Sequence, residues 1–432
     1  MTSERPGTKP PEAAPSEAYV WIWLPDATEP VVAGRIARDG ERLIFNYGQS
    51  YLDRKDRIPI YEPELPLRSG AISPEAGLSM AGCLRDAAPD AWGRRVILNR
   101  TFGRKGKDVD IGALDELTYL LKSGSDRTGA LDFQHSPSEY VPRVARTATL
   151  EELLSAAEKV EKGVPLSPDL DQALLHGTSL GGARPKAMIQ DGDTKMIAKF
   201  SSSSDTYNVV KAEYVAMRLA AKAGLKVAPV RLEHVAGKDV LLVERFDRSR
   251  AHDGWTRKAM VSALTLFGLD EMMARYASYE DLAEIIRHRF TSPRATLHEL
   301  YGRLVFNILC GNTDDHARNH AAFWDGGHLT LTPAYDICPQ SRSGNVASQA
   351  MLIVGDDRTS TLATCLEAAP HFQLTEKAAK DIVTRQIGTI RDGWDDICGD
   401  AQLSEVERNL FGQRIFLNDF IFEGAPEGLR QG

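Results

Sequence analysis

The chain has 432 residues, 42% of them hydrophobic and 26% charged, which is enough to bury a large core and too long for one ordinary domain, so two or three structural units are expected. A formal net charge of −8 argues against nucleic acid as the main partner, because neutralising a phosphate backbone takes a basic surface. No apolar run reaches the roughly 20 residues that cross a bilayer, the polar opening lacks the apolar stretch of a signal peptide, and the five cysteines are scattered without CxxC spacing. The expectation is a cytoplasmic protein with reduced thiols and no membrane or zinc site.

Residues 1–17 are rich in Pro, Glu, Ser and Thr and read as a disordered tail, since they carry too little apolar surface to offset the entropy of ordering. From Ala18 the text changes to short β-like runs at 19–24 and 43–47, then to helical stretches, which suggests a small α+β unit ending near residue 140. Within it, residues 88–98 place Pro89 at a helix start and Trp92, Val96 and Ile97 on one face, the pattern of a core helix. The Pro- and Ser-bearing stretch 136–146 reads as a linker to a second, larger unit.

That unit opens with a small-residue loop, Gly177-Thr-Ser-Leu-Gly-Gly-Ala-Arg-Pro-Lys186, running into a β-like stretch, an Asp191-Gly192 turn and a return strand at 195–200. The loop suits either a plain hairpin or a backbone cradle for phosphate, and it matches no full Walker A motif. Lys199 interrupts an apolar strand, so it either reaches solvent or meets a carboxylate or phosphate. Glu213 is a candidate partner, on a helix whose apolar positions Val210, Tyr214, Met217 and Ala221 repeat at helical spacing and which stops near Gly224. The apolar run 240–243 then reads as a buried strand that emerges at Glu244 on the edge of a cleft.

Leu297, Leu300, Tyr301, Leu304, Val305, Ile308 and Leu309 predict an amphipathic helix ending at Gly311. The loop behind it, 311–319, concentrates Asp314, Asp315, His316, Arg318 and Asn319, a density that a solvated connection does not need. A hairpin follows at 321–324 and 328–332, and Asp336 is read as closing its second strand. An acid, an amide five residues on, a hairpin and a second acid form the order that phosphoryl transfer by a kinase requires. Asp314 would accept the hydroxyl proton, while Asn319 and Asp336 offer hard oxygen ligands for Mg²⁺. His316 is open between orienting the loop through hydrogen bonds and a metal or proton-transfer role.

The segments Ser179-Leu-Gly-Gly-Ala-Arg-Pro-Lys186, Ala198-Lys199, Val243-Glu-Arg-Phe-Asp-Arg248, Asn312-Thr-Asp-Asp-His-Ala-Arg-Asn319 and Leu331-Thr-Pro-Ala-Tyr-Asp336 together resemble the HipA family of Ser/Thr protein kinase toxins. The likeness extends through Pro89-Asp-Ala-Trp-Gly-Arg-Arg95 to nearly everything after the tail. It implies an α+β fold: a bilobal protein-kinase-like core with an N-terminal α+β subdomain (18–140), an N-lobe-like region with Gly-rich loop and hinge (141–250) and a largely helical C-lobe (251–432). It implies ATP and Mg²⁺ as cofactors. ATP would be bound by Ser179, Leu180, Gly181, Gly182, Ala183, Lys199, Glu244 and Phe246, and Ser179 would be an autophosphorylation position. Glu213, His316 and Arg318 would act in support, Arg318 standing where many relatives carry Lys.

The resemblance also implies a HipB-like DNA-binding antitoxin through which DNA would be contacted, and a translation component such as an aminoacyl-tRNA synthetase as target. Two other readings fit parts of the sequence. One is a metal-dependent phosphohydrolase with Asp314, Asp315, His316, His320 and Asp336 as ligands. The other is a catalytically silent scaffold that grips an antitoxin.

Overall fold

The computed structural model describes residues 14–430 apart from 104–107, 145–146, 176–181, 342–343 and 345. Of the expected tail, 1–13 lie outside the described residues. Its end needs correcting: the first strand begins at Glu17, and the Ser16 carbonyl already accepts from the Arg38 N–H at 2.9 Å.

Strands β1 (Glu17–Ile22), β2 (Val31–Asp39), β3 (Arg42–Tyr47), β4 (Ala71–Ile72) and β5 (Leu131–Gln134) form an antiparallel sheet in the order β4-β3-β2-β1-β5. Alternation explains its inner face, since Ala18, Val20 and Ile22 are wholly buried while the side chains between them point the other way. Helix α1 (Ala91–Phe102) follows β4. It starts two residues later than the Pro89 reading, because Asp90 is the cap: its side chain accepts from the Gly93 N–H at 3.1 Å, satisfying a donor that the helix cannot.

A second antiparallel sheet has the order β6-β7-β9-β8, from β6 (Lys186–Asp191), β7 (Thr194–Phe200), β8 (Val230–Val235) and β9 (Lys238–Glu244). Asp191 pairs with Thr194 across a two-residue turn entered at Gly192, whose φ of 58° is left-handed; this lies one residue beyond the predicted turn. The continuous apolar run in β9 has a physical cause. Val240 and Leu242 face a core shared with α2 (Leu150–Glu161) and α3 (Pro168–Leu174), whereas Leu241 and Val243 face the main core with α4 (Val209–Lys222). Trp92 and Val96 of α1 join the first of these cores, so α1 packs on the second sheet.

After the small hairpin β10 (Arg248–Ala251) and β11 (Gly254–Arg257), the chain is mainly helical, with α5 (Tyr279–Arg289), α6 (Pro293–Leu309) and α7 (Glu376–Asp400). Helix α6 corrects the amphipathic expectation, because every residue from Leu300 to Leu309 is buried. Its one charged member in that stretch is matched internally: Arg303 meets Glu299 at 2.9 Å and donates to the Thr332 carbonyl at 2.8 Å. The helix stops at Gly311, where φ is 73° and a Cβ would lie 2.9 Å from the Ile415 carbonyl oxygen. Beside it, β12 (Ala259–Ser262), β13 (Ala321–Trp324) and β14 (Leu329–Leu331) make a three-stranded sheet.

A buried ionic network welds the loop before β5 to the end of β9. Asp126 pairs with Lys195 at 2.5 Å and with Arg245 and Arg248 at 3.0 Å, and Asp247 pairs with both arginines and accepts from the Gly129 N–H. Burial would lift the Asp247 carboxyl, but the two guanidiniums override it and bring its pKa to about 2, so these charges persist in the interior. All five cysteines are buried and unpaired. Among the described residues no helix is long and apolar enough to cross a membrane.

Candidate active site

The sheet of β6 to β9 faces the loop behind α6, and Lys199 spans the junction. Its Nζ lies 2.5 Å from Glu213 Oε1 on α4 and 2.5 Å from Asp336 Oδ1. The side chain is 15% exposed, so the solvent-reaching alternative does not apply. Burial works to lower the lysine, yet the Asp336 and Glu213 carboxylates overcome it and carry it above the usual lysine range. For Asp336 burial acts upward, and Lys199 outweighs it and holds the carboxyl at about 2. An ammonium shared between two carboxylates is thus fixed at the meeting of the lobes.

Asp336 reaches this position differently from the strand end read in the sequence. Strand β14 stops at Leu331, and the next residues run against the segment before β8: Ala334 N–H donates to the Lys226 carbonyl at 2.7 Å, and Ala228 N–H to the Ala334 carbonyl at 2.9 Å. Asp336 itself adopts φ 58°, a left-handed conformation that costs a non-glycine residue on the order of 1 kcal/mol and marks an imposed geometry. Tyr335 fixes the turn by donating to the Arg318 carbonyl at 2.7 Å.

Within the loop, adjacent carboxylates part company. Asp314 is exposed, while Asp315 is buried, with Oδ1 3.0 Å from His320 Nε2 and Oδ2 accepting from the Tyr279 hydroxyl. Asn319 donates from Nδ2 to the Asp314 carbonyl at 3.2 Å, and its Oδ1 has no hydrogen-bond partner among the described residues. Partial burial raises the Asp314 carboxyl above its ordinary range, with Asp336 and Asp315 adding to the rise and His316 and Arg184 opposing it. The His316 ring makes no hydrogen bond among the described residues; its backbone carbonyl, which accepts from the Asn319 N–H at 2.8 Å, ties the loop instead. Arg318 turns to Glu271, with Asp86 of the N-terminal unit 3.8 Å away.

At the other end of the cleft, the Glu244 N–H is taken by the Pro229 carbonyl and the Arg245 N–H by the Lys195 carbonyl, both at 2.9 Å. The Phe246 N–H has no partner among the described residues, and its ring packs on Phe323 and Tyr335. Of the glycine-rich loop, Ser179, Leu180 and Gly181 lie outside the described residues, whereas Gly182 and Ala183 are described. Sequence reasoning missed three neighbours of the site: Arg184, which pairs with Asp205 at 2.5 Å, the buried Lys186, and Asp90. A charged residue alternating inward at the start of β6 was the available signal for Lys186.

The donor set suits Mg²⁺. One ionised carboxylate and one amide oxygen, with room for phosphate oxygens and water, are what that small, reluctantly dehydrated ion takes from proteins. Among the described residues no group of three His, Cys, Asp or Glu is placed to hold a metal. The hydrolase set in particular is split, since Asp315 and His320 are spent on each other and on Tyr279 beneath the loop.

An antiparallel sheet whose lysine meets a helix glutamate, facing a helical lobe that presents an acid, an amide and a second acid, defines the α+β, bilobal protein-kinase-like class. Comparison with known proteins is consistent with it. Residues 178–394, half of the chain, match the HipA-like C-terminal domain, and residues 23–134 match the HipA N-terminal domain. The putative kinase Y4mE of Sinorhizobium fredii is 26% identical over 327 residues, 71% of this chain and 74% of that protein. The serine/threonine-protein kinase toxin HipA of Shewanella oneidensis is 24% identical over 203 residues, 41% of this chain and less than half (47%) of the toxin. The solved HipA of a Shewanella oneidensis HipA, HipB and operator DNA complex superposes with a TM-score of 0.64 at 20% identity, covering 91% of this chain and 94% of that one. The chain belongs to the HipA family of protein kinases.

Proposed function

We propose that this chain transfers the γ-phosphate of ATP to a serine or threonine hydroxyl of a protein, as the toxin of a toxin–antitoxin pair. The observation that carries the reading is the convergence of Lys199, Glu213 and Asp336 in front of the loop bearing Asp314 and Asn319. Asp314 stands at the mouth, where a substrate hydroxyl can approach, and accepts its proton. Lys199 steers the nucleotide phosphates, Asn319 and Asp336 hold Mg²⁺, and the backbone at Glu244 and Phe246 receives adenine, with the Phe246 N–H as the open donor. Bound Mg²⁺ supplies neutralisation of phosphate charge.

The glycine-rich segment from Ser179 to Ala183 covers the phosphates, and Ser179 is the site of regulatory autophosphorylation. A HipB-like antitoxin is the partner and carries the contact with DNA; the solved relative in complex with HipB and operator DNA supports this. An aminoacyl-tRNA synthetase is the class of target in view. The test is incubation of the chain with labelled ATP and a bacterial lysate beside Asp336→Asn, followed by identification of labelled proteins. Label that depends on Asp336, in a translation protein and on Ser179, is the expected result; equal labelling by both proteins, or none by either, sinks the assignment.

A further inference from the structure

The Pro89-Asp-Ala-Trp-Gly-Arg-Arg95 motif has no part in the roles above, yet the structure brings it to the nucleotide cleft. Trp92 of α1 donates from Nε1 to the Lys186 carbonyl at 2.9 Å across 94 residues of sequence. Asp90, two residues earlier, approaches the other end of the same lysine: its Oδ2 is 3.6 Å from Lys186 Nζ. Its Oδ1 caps α1, and its Oδ2, though buried, makes no hydrogen bond among the described residues, so the Lys186 ammonium is the near cation it faces. One helix end thus holds one lysine by its backbone and by its charge.

Lys186 is 4% exposed along its side chain and opens β6 directly after the glycine-rich loop, in register with Lys199 across the β6–β7 ladder. Its ammonium is seated against Gly182: a Cβ built there would lie 2.2 Å from Lys186 Nζ and 3.7 Å from Asp90 Oδ2, and Gly182 has φ 105°. Any other residue here would push the ammonium from this seat and take a conformation that L side chains rarely adopt. Lys186 lies within the field of Lys199, Asp336 and Glu213, so its charge borders the place that phosphates occupy in the proposed reaction. A long, flexible lysine gains most from being held in its working position before the ligand arrives.

We infer that Asp90 and Trp92 of the N-terminal unit are positioning residues for the nucleotide site, fixing Lys186 against Gly182 so that its ammonium is in place before the nucleotide binds. The inference rests on the kinase reading and adds that the N-terminal unit is part of the ATP site. Asp90→Asn isolates the effect, since Asn caps a helix as well as Asp does and only the negative charge facing Lys186 is lost. In the full-length chain, Asp90→Asn and Trp92→Phe each raise KM for ATP by about 5- to 10-fold with kcat changed less than about 2-fold, the signature of weakened binding shared by ground and transition states. Asp90→Glu recovers part of the loss.

The decisive step is a double-mutant cycle. If Asp90 acts through Lys186, Asp90→Asn adds nothing to KM once Lys186→Met is present. A wild-type KM in Asp90→Asn overturns the inference, as does an undiminished effect in the Lys186→Met background. Wild-type protein that binds no ATP fails at an earlier point and refutes the kinase reading itself, whereas wild-type activity with an indifferent Asp90 refutes only the positioning role.

Discussion

Replacing Lys199 by Met removes the shared cation and leaves two carboxylates facing the gap. They do not count equally. Asp336's carboxyl is 39% exposed and rehydrates, so its loss is screened and amounts to under about 1 kcal/mol. Glu213's is 4% exposed, and stranding one member of a buried pair costs about 3 to 5 kcal/mol. At about 2 to 4 °C per kcal/mol for a domain of 150 to 250 residues, the melting point falls by at least about 6 °C near neutrality. The loss is pH-dependent with a definite sign. Burial already raises the Glu213 carboxyl, with Lys199 pulling it back; without Lys199 the folded-state value climbs further above the unfolded one. A carboxyl raised in the folded state destabilises above its unfolded pKa and ceases to do so below it. Thermal melts of wild type and Lys199→Met across about pH 4.5 to 8 therefore show a deficit that widens as pH rises. A deficit independent of pH refutes the claim that Glu213 is the group left uncompensated.

Two further outcomes concern the catalytic loop. Asp314→Ala lowers kcat by about 10²- to 10⁴-fold, the usual worth of a positioned proton acceptor, and since the side chain is exposed the melting temperature stays near that of wild type; phosphotransfer rates with purified protein decide it. His316→Gln removes a positive neighbour that opposes the raised Asp314 carboxyl. Its pKa then rises further, so the acid limb of the pH–kcat profile moves to higher pH, and a limb that stays in place or moves down contradicts the electrostatic assignment.

Much of this site could be read from the text of the chain because its pieces are local. The Asp191-Gly192 turn, the helix carrying Glu213 with its stop near Gly224, and the Gly311 terminus each rest on short-range chemistry, and each lies within a residue or two of its predicted place. What escaped rests on long-range packing. Polar residues that find partners inside the lobe, such as Arg303 with Glu299 and Thr332, allowed α6 to be buried all round, and periodicity does not foresee such matches. The left-handed Asp336 and the bridge of Ala334 to residues 226–228 follow from the meeting of segments about a hundred residues apart, as does the contact of Trp92 with Lys186. Asp315 and His320 looked like potential metal ligands beside Asp314, and only their burial against Tyr279 separates them from the open carboxylate.

The ionic weld around Asp126 also sets an order of events during synthesis. Its partners Lys195, Arg245 and Arg248 lie 69, 119 and 122 residues further along. At the usual pace of translation the last of them follows on the order of ten seconds after Asp126 itself. Until then the N-terminal half carries a carboxylate whose interior site is incomplete. The end of β9 is anchored only when both halves are in hand, so a nascent chain that has not yet reached Arg248 lacks this finished edge of the cleft.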